Sequence, residues 1–193
     1  MNIQVIGLSG KAGTGKDWVF ENYLRPAGYY RWALADHFKI WAVGRGLATY
    51  EEVFHTKPPH VRKALQQIGT EEGRLIYGDN VWLDTTWAWM HHLSNMWDIN
   101  KFCVTDARFP NEVEYIQSHG GKVLRVVAPE REAASELTTE ARAHISETAL
   151  DDFPLRRYDG VINNDPGAHI SDTLKSLGDT LGNNIITAYY NGL

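Results

Sequence analysis

Short apolar runs alternate along the chain with segments whose apolar residues recur at helical spacing. The runs predict buried strands at residues 3–9, 29–35, 101–107, 122–128 and 159–165. The segments between them predict helices at residues 16–24, 37–48, 60–76, 80–97, 110–121 and 168–185. We expect Asp36 to cap the second of these helices. Strands that alternate with helices predict an α/β fold, in which a parallel sheet carries helices on both faces.

Polar clusters follow three of the predicted strands. They are the segment 10–17, Asp106 with Arg108, and Asn163 with Asn164. Ligands bind at the carboxyl ends of the strands in parallel α/β sheets. We therefore expect these distant segments to meet in one site.

The segment "GKAGTGKD" follows the first strand and nearly matches the phosphate-binding pattern G-x-x-x-x-G-K-[ST]. Its glycines permit a close approach of backbone N–H groups to a phosphate, and its lysine reaches the β- and γ-phosphates. The alternative is a strand-to-helix turn with incidental glycines. The residues expected to contact ATP here are Gly10, Lys11, Ala12, Gly13, Thr14, Gly15, Lys16 and Asp17.

Asp17 stands where this pattern has a hydroxyl that holds Mg²⁺. A carboxylate is a good hard ligand for Mg²⁺, directly or through water, and it suits a first helical turn. Trp18 follows and offers no hydroxyl to a phosphate.

The segment "VTDARFPNE" places Asp106 at the end of a buried strand, with Arg108 two residues later. A carboxylate in that position holds Mg²⁺ and its waters in phosphate-loop enzymes, and an arginine clamps phosphate in a bidentate manner. Alternatively, Asp106 caps the helix near Pro110 and Arg108 pairs with Glu112.

Two arginines in the third predicted helix suit a monophosphate. Arg62 and Arg74 are twelve residues apart, which puts them about 120° apart on an unbroken helix. A break at Gly69-Thr70 is expected to bring them together; the alternative is an ordinary solvated face.

The polar region 129–154 is either a mobile lid or a surface loop. Arginines in and beside it are candidates for charge neutralisation: Arg125, Arg131 and Arg142. In "HISET", we expect Ser146 to cap a short helix rather than to form a catalytic pair with His144.

Composition narrows the possible partners. A length of 193 residues suits one domain, and a net charge of −5 argues against a nucleic acid polymer as partner. Cys103 is expected to be a buried strand residue rather than a nucleophile. With one cysteine, no signal-peptide pattern and no long apolar run, we expect a cytoplasmic protein without a membrane partner. A monomer and a homodimer both stay open.

Together these segments resemble the deoxynucleoside monophosphate kinases of tailed bacteriophages. The matching words are "GKAGTGKD", "ALADHFK", "RKALQQIGTEEGR", "YGDNVW", "VTDARFPNE", "GGKVLRV", "HISE" and "DGVINND". The chain departs from the family pattern at Trp18, where Thr is usual, and at His37, where Pro is frequent.

The resemblance implies a three-layer P-loop kinase fold with a five-stranded parallel sheet, and the use of ATP and Mg²⁺. It implies one domain with a core at 1–48, 98–128 and 155–193, an acceptor-binding region near 49–97 and a lid near 129–150. Asn163 and Asn164 would flank the adenine.

The same resemblance assigns roles to individual residues. The expected catalytic residues are Lys16, Asp17, Asp106, Arg108 and Arg131, with Asp17 and Asp106 as metal ligands. The expected acceptor contacts are Asp36, Lys39, Arg62, Gln66, Thr70, Glu71, Arg74, Trp82 and Arg108. Trp82 or Trp87 would stack on the acceptor base; the alternative for both is core packing.

The sequence therefore predicts transfer of the γ-phosphoryl group of ATP to a deoxynucleoside monophosphate. Other possibilities are a different small-molecule kinase, such as a dephospho-coenzyme A kinase, a nucleotide-binding regulator without turnover, and a structural protein. The sequence leaves the acceptor base open.

Overall fold

A computed structural model describes residues 3–133, 145–168 and 170. Five parallel strands form one sheet in the order β2-β3-β1-β4-β5. The strands are β1 (Gln4–Ser9), β2 (Tyr30–Trp32), β3 (Lys101–Ala107), β4 (Lys122–Val127) and β5 (Gly160–Asn163).

Helices connect these strands. The α-helices are α1 (Lys16–Val19), α2 (Leu34–Gly44), α3 (Pro59–Gln66), α4 (Leu75–Tyr77), α5 (Val81–Trp97), α6 (Pro110–Ser118), α7 (Pro129–Ala133) and α8 (Ile145–Thr148). Wider π-helical turns span Phe20–Leu24, Glu52–Thr56 and Gln67–Arg74, and a 3₁₀ turn spans Leu155–Arg157. No helix in the described part of the chain is both long and apolar enough to cross a membrane.

The sheet is buried on both faces. Along β3, Cys103 packs into one apolar cluster with Phe20 and Leu24, while its neighbours Phe102 and Val104 pack into a second cluster on the other face. This alternation follows from the pleat of a strand. It confirms the prediction of a three-layer α/β fold, and it confirms Cys103 as a buried strand residue, whose pKa burial raises well above its usual value.

The predicted boundary between the second strand and the second helix is wrong. The strand ends at Trp32, and α2 already begins at Leu34, so Asp36 lies inside the helix and does not cap it. The cap comes from β3. The two carboxylate oxygens of Asp106 accept hydrogen bonds from the N–H groups of Leu34 and Ala35, at 2.7 and 2.9 Å. This long-range contact replaces the local cap that α2 lacks.

The predicted break at Gly69-Thr70 is also wrong, since the chain stays helical through Gln67–Arg74 in a π-helical winding. The glycines here serve close packing. A Cβ on Gly69 would lie 3.1 Å from the ring of Phe38, and one on Gly73 would lie 2.3 Å from the indole of Trp82.

Toward the C-terminus, Ser146 lies within α8 rather than before it, so it does not have the predicted N-cap position. The predicted helix at 168–185 lies outside the described residues except for Ala168 and Ile170. Arg142 and His144 also lie outside them.

Candidate active site

The glycine-rich loop, which the sequence predicts to bind phosphate, lies between β1 and α1, and its shape depends on glycine. Gly15 has φ 83°, and a Cβ there would lie 2.2 Å from the side-chain amide nitrogen of Asn164. Asn164 is buried and donates to the carbonyl of Thr14 at 2.8 Å. The loop therefore rests on Asn164. Asn163 is exposed, and its side-chain oxygen accepts from the N–H of Asp165 at 3.0 Å.

Lys16 is held against the loop. Its ammonium donates to the carbonyls of Gly10 and Lys11 at 2.7 and 2.8 Å. Burial lowers the pKa of Lys16 to about 8, and the charge of Arg108 adds to that effect, whereas Glu147 and two aspartates oppose it. With this pKa the lysine is mostly charged at neutral pH, and it lies beside the loop, where its ammonium group could bind an anion.

A cleft of about 620 Å³ extends from the loop across the ends of β2 and β3 to α3. It brings together most of the predicted site residues: Ala12, Gly13, Gly15, Lys16, Asp17, Lys39, Arg62, Gln66, Thr70, Arg74, Trp82, Asp106 and Arg108. Glu71 is exposed and does not line the cleft. Arg131 is exposed on α7, with a guanidinium nitrogen 3.2 Å from the position that a Cβ on Gly15 would take.

Two carboxylates face the loop side of the cleft. Asp17 is three-quarters exposed and pairs with Arg31 at 3.3 Å. Asp106 caps α2, not the helix near Pro110; that helix is capped by Glu112, which accepts from the N–H groups of Arg108 and Phe109. Within the described part of the chain, no three His, Cys, Asp or Glu side chains form a metal cluster.

Arg74 and Glu112 form a buried ion pair at 2.5 Å, with side chains 13% and 3% exposed. The guanidinium also lies 4.2 Å over the ring of Phe109. Burial raises the pKa of Glu112 to about 7 in spite of Arg74. Arg74 therefore supports one wall of the cleft and has its charge already matched, which the sequence did not indicate.

The part of the cleft that residues 31–66 line carries surplus positive charge. Arg31 and Lys39 share Asp36, at 3.3 and 2.9 Å. Lys57 and Arg62 pair with no carboxylate within the described residues, and Arg62 donates to the backbone carbonyl of Lys57 at 2.9 Å.

Lys57 lies in the left-handed region, at φ 47° and ψ 58°. Burial first, and then the charges of Lys39 and Arg62, lower its pKa. Lys57 is half-buried and Arg62 is exposed, and the charge of Asp17 offsets only part of the repulsion at Lys57. Neighbouring cations that lower one another's pKa in this way favour an anionic ligand.

Of the two candidate tryptophans, only Trp82 lines the cleft. Its indole N–H donates to the carbonyl of Gly69 at 2.8 Å, and its ring is stacked 6.2 Å from His37. Trp87 packs against Tyr115 and His119 instead.

Several residues that line this cleft were not predicted from the sequence, among them the charged residues Arg31, Lys57 and Glu147. Arg31 lies in the strand whose carboxyl end faces the site, which was an available signal. Lys57 precedes the Pro58-Pro59 pair in a loop, and no pattern marks it. Glu147 belongs to the segment "HISE", which was interpreted as a helix start and as part of the family resemblance, with no role for Glu147 itself.

No family model and no curated protein matches the chain. Among solved structures, it is similar to TT1252 from Thermus thermophilus, with 20% identity over 95% of this chain and 98% of that one, and a TM-score of 0.54. A sugar kinase from Janibacter sp. HTCC2649 matches at 14% identity, over 97% and 98% of the two chains, with a TM-score of 0.47. Shikimate kinase from Aquifex aeolicus matches at 12%, over 93% and 97%, with a TM-score of 0.46.

These likenesses concern the fold alone. The five-stranded parallel sheet, the helices on both of its faces and the glycine-rich loop between β1 and α1 define a three-layer α/β fold that this chain shares with TT1252. The charges that line the cleft indicate which kind of molecule it could bind.

Proposed function

We propose that the protein transfers the γ-phosphoryl group of ATP to the phosphate of a deoxynucleoside monophosphate. The observation that carries the proposal is the lining of the cleft: the glycine-rich loop, Arg108, and the cations Lys57 and Arg62, which have no carboxylate partner among the described residues. This arrangement suits a donor and an acceptor that both carry phosphate. The deoxynucleoside moiety rests on the sequence motifs.

The proposed mechanism depends on positioning and charge. An acceptor phosphate is largely ionised at neutral pH, so the protein needs no strong general base. Lys57 and Arg62 would hold the acceptor phosphate, with residues 49–97 as the acceptor-binding region and 129–150 as the lid. Arg108 would neutralise charge on the transferred group, and such preorganised donors supply most of the barrier reduction in phosphoryl transfer.

Two residues fit a magnesium ion that is bound chiefly through substrate. Mg²⁺ usually takes one or two carboxylates together with phosphate oxygens, and Asp17 and Asp106 line the cleft beside the loop. When bound, the ion would neutralise phosphate charge. Both oxygens of Asp106 also accept backbone N–H bonds, which fixes the orientation of that carboxylate.

The molecules that accept the phosphoryl group distinguish this proposal from the alternative functions. Release of ADP from ATP is measured with each deoxynucleoside monophosphate, with shikimate and with dephospho-coenzyme A, and with Lys16→Ala as the inactive control. We expect turnover with at least one deoxynucleoside monophosphate and none with the two hydroxyl acceptors. Turnover with dephospho-coenzyme A alone favours the other kinase. ATP binding without turnover on any acceptor favours a regulator.

The rate should also depend on the charge of Lys16. Because the pKa of this lysine is lowered to about 8 in the free protein, kcat/KM for ATP should fall as the pH rises through about 8. Bound phosphates raise the pKa of an ammonium group, so the fall in kcat should come at a higher pH. Both profiles are measured from about pH 6.5 to about pH 10. A kcat/KM that stays level to pH 10 contradicts this role.

A further inference from the structure

Glu147 on α8 reaches into the phosphate-binding loop from a distant part of the chain. Its carboxylate accepts a hydrogen bond from the N–H of Ala12 at 2.8 Å and forms an ion pair with Arg108. The side chain is only 12% exposed. A second ion pair, Lys11 with Asp151 at 3.0 Å, fastens the same segment to the loop.

Glu147 contacts the same groups that the terminal phosphate of a donor nucleotide would contact. A loop N–H and an arginine surround the carboxylate, and its charge acts on Lys16, whose pKa it raises against the effect of burial. An internal carboxylate thus contacts both a loop N–H group and an arginine of the cleft.

We propose that Glu147 holds the place of the terminal phosphate of the donor and so sets the preference of the free enzyme between nucleoside triphosphate and diphosphate. This inference rests on the proposed function. ATP must displace the carboxylate from Ala12 and Arg108, whereas ADP has no third phosphate and leaves it in place. Glu147 therefore weakens the binding of a triphosphate relative to a diphosphate and retakes its position after transfer.

The test compares two nucleotides and two proteins. Dissociation constants of Mg-ADP and of the non-hydrolysable β,γ-imido analogue of ATP are measured by calorimetry for the wild type and for Glu147→Gln. The glutamine keeps the shape and removes the charge, so the analogue should bind roughly tenfold more tightly, as expected when a charged hydrogen bond no longer competes. The affinity for ADP should change by less than about twofold.

Asp151→Asn is the matched control, because it releases the other fastening of the same segment at Lys11 without vacating the phosphate position. Its ratio of the two affinities should equal that of the wild type. Thermal unfolding of each variant verifies folding, and Glu147→Ala is used in the same assay if Glu147→Gln does not fold.

The outcomes separate the two proposals. Suppose that the wild type binds both nucleotides and that Glu147→Gln leaves the ratio of their dissociation constants unchanged. Glu147 then does not hold the position of the terminal phosphate, and the kinase proposal is unaffected. If the wild type binds neither nucleotide at millimolar concentration, the proposed function and the role of Glu147 both fail.

Discussion

Replacing Arg108 by alanine is expected to lower kcat/KM by at least about 10², the usual cost of losing one preorganised donor to the transition state. Arg108 lines the cleft together with the loop and with Lys57 and Arg62, and in the free protein its guanidinium forms an ion pair with Glu147. Steady-state kinetics with the best acceptor of the panel measure the effect.

Arg156→Ala is the matched control, because Arg156 is exposed in the 3₁₀ turn and lies outside the cleft. Its kinetics should equal those of the wild type. A near-wild-type rate for Arg108→Ala removes Arg108 from the mechanism and leaves its pairing with Glu147 as a purely structural contact.

Replacing Arg74 by methionine is expected to destabilise the protein by about 3–5 kcal/mol at pH 8, the typical cost of leaving one member of a buried ion pair unpaired. Glu112 is almost fully buried and would lose its only charged partner among the described residues. Urea denaturation gives the change in the free energy of unfolding. Arg62→Met is the control; because Arg62 is exposed, its effect should stay within about 0.5 kcal/mol.

The pH dependence of the same variant follows from the pKa of Glu112. Burial raises this pKa to about 7, above the usual value of 4.5. The folded protein therefore holds the proton of Glu112 more tightly than the unfolded chain does. As a result, the free energy of unfolding falls as the pH rises from about 4.5 to about 7. Without Arg74 the pKa rises further, and the decline continues to higher pH. The loss in Arg74→Met should therefore be larger at pH 8 than at pH 5. If Arg74→Met loses the same free energy of unfolding at pH 5 and pH 8, Arg74 does not stabilise the ionised form of Glu112.

The fold was predictable because its signals are local. A pleat-spaced apolar run such as 101–107 and a glycine-rich turn before a helix are recorded in neighbouring residues, and they identified the sheet and the phosphate-binding loop. The chain order of the clusters also predicted correctly that the segment 10–17, Asp106 and Arg108 meet in one cleft.

The remaining features depend on contacts between distant residues. Asp106 caps a helix that begins 72 positions earlier, and for that reason the local signal at Asp36 was misleading. Arg74 pairs with a carboxylate 38 positions away, and Glu147 reaches a loop 135 positions away. Such pairings are set by how the layers pack, and no spacing within the sequence records them.

If the protein is the proposed kinase, it joins the γ-phosphoryl group of ATP to the phosphate of a deoxynucleoside monophosphate. The protein is incubated with ATP, Mg²⁺ and an equal mixture of the four deoxynucleoside monophosphates, and the products are followed by ³¹P NMR. The predicted result is loss of the γ-phosphate signal of ATP with equal gains of ADP and of a deoxynucleoside diphosphate, and no such change with Lys16→Ala. ATP that stays intact, or that yields only inorganic phosphate, contradicts the claim.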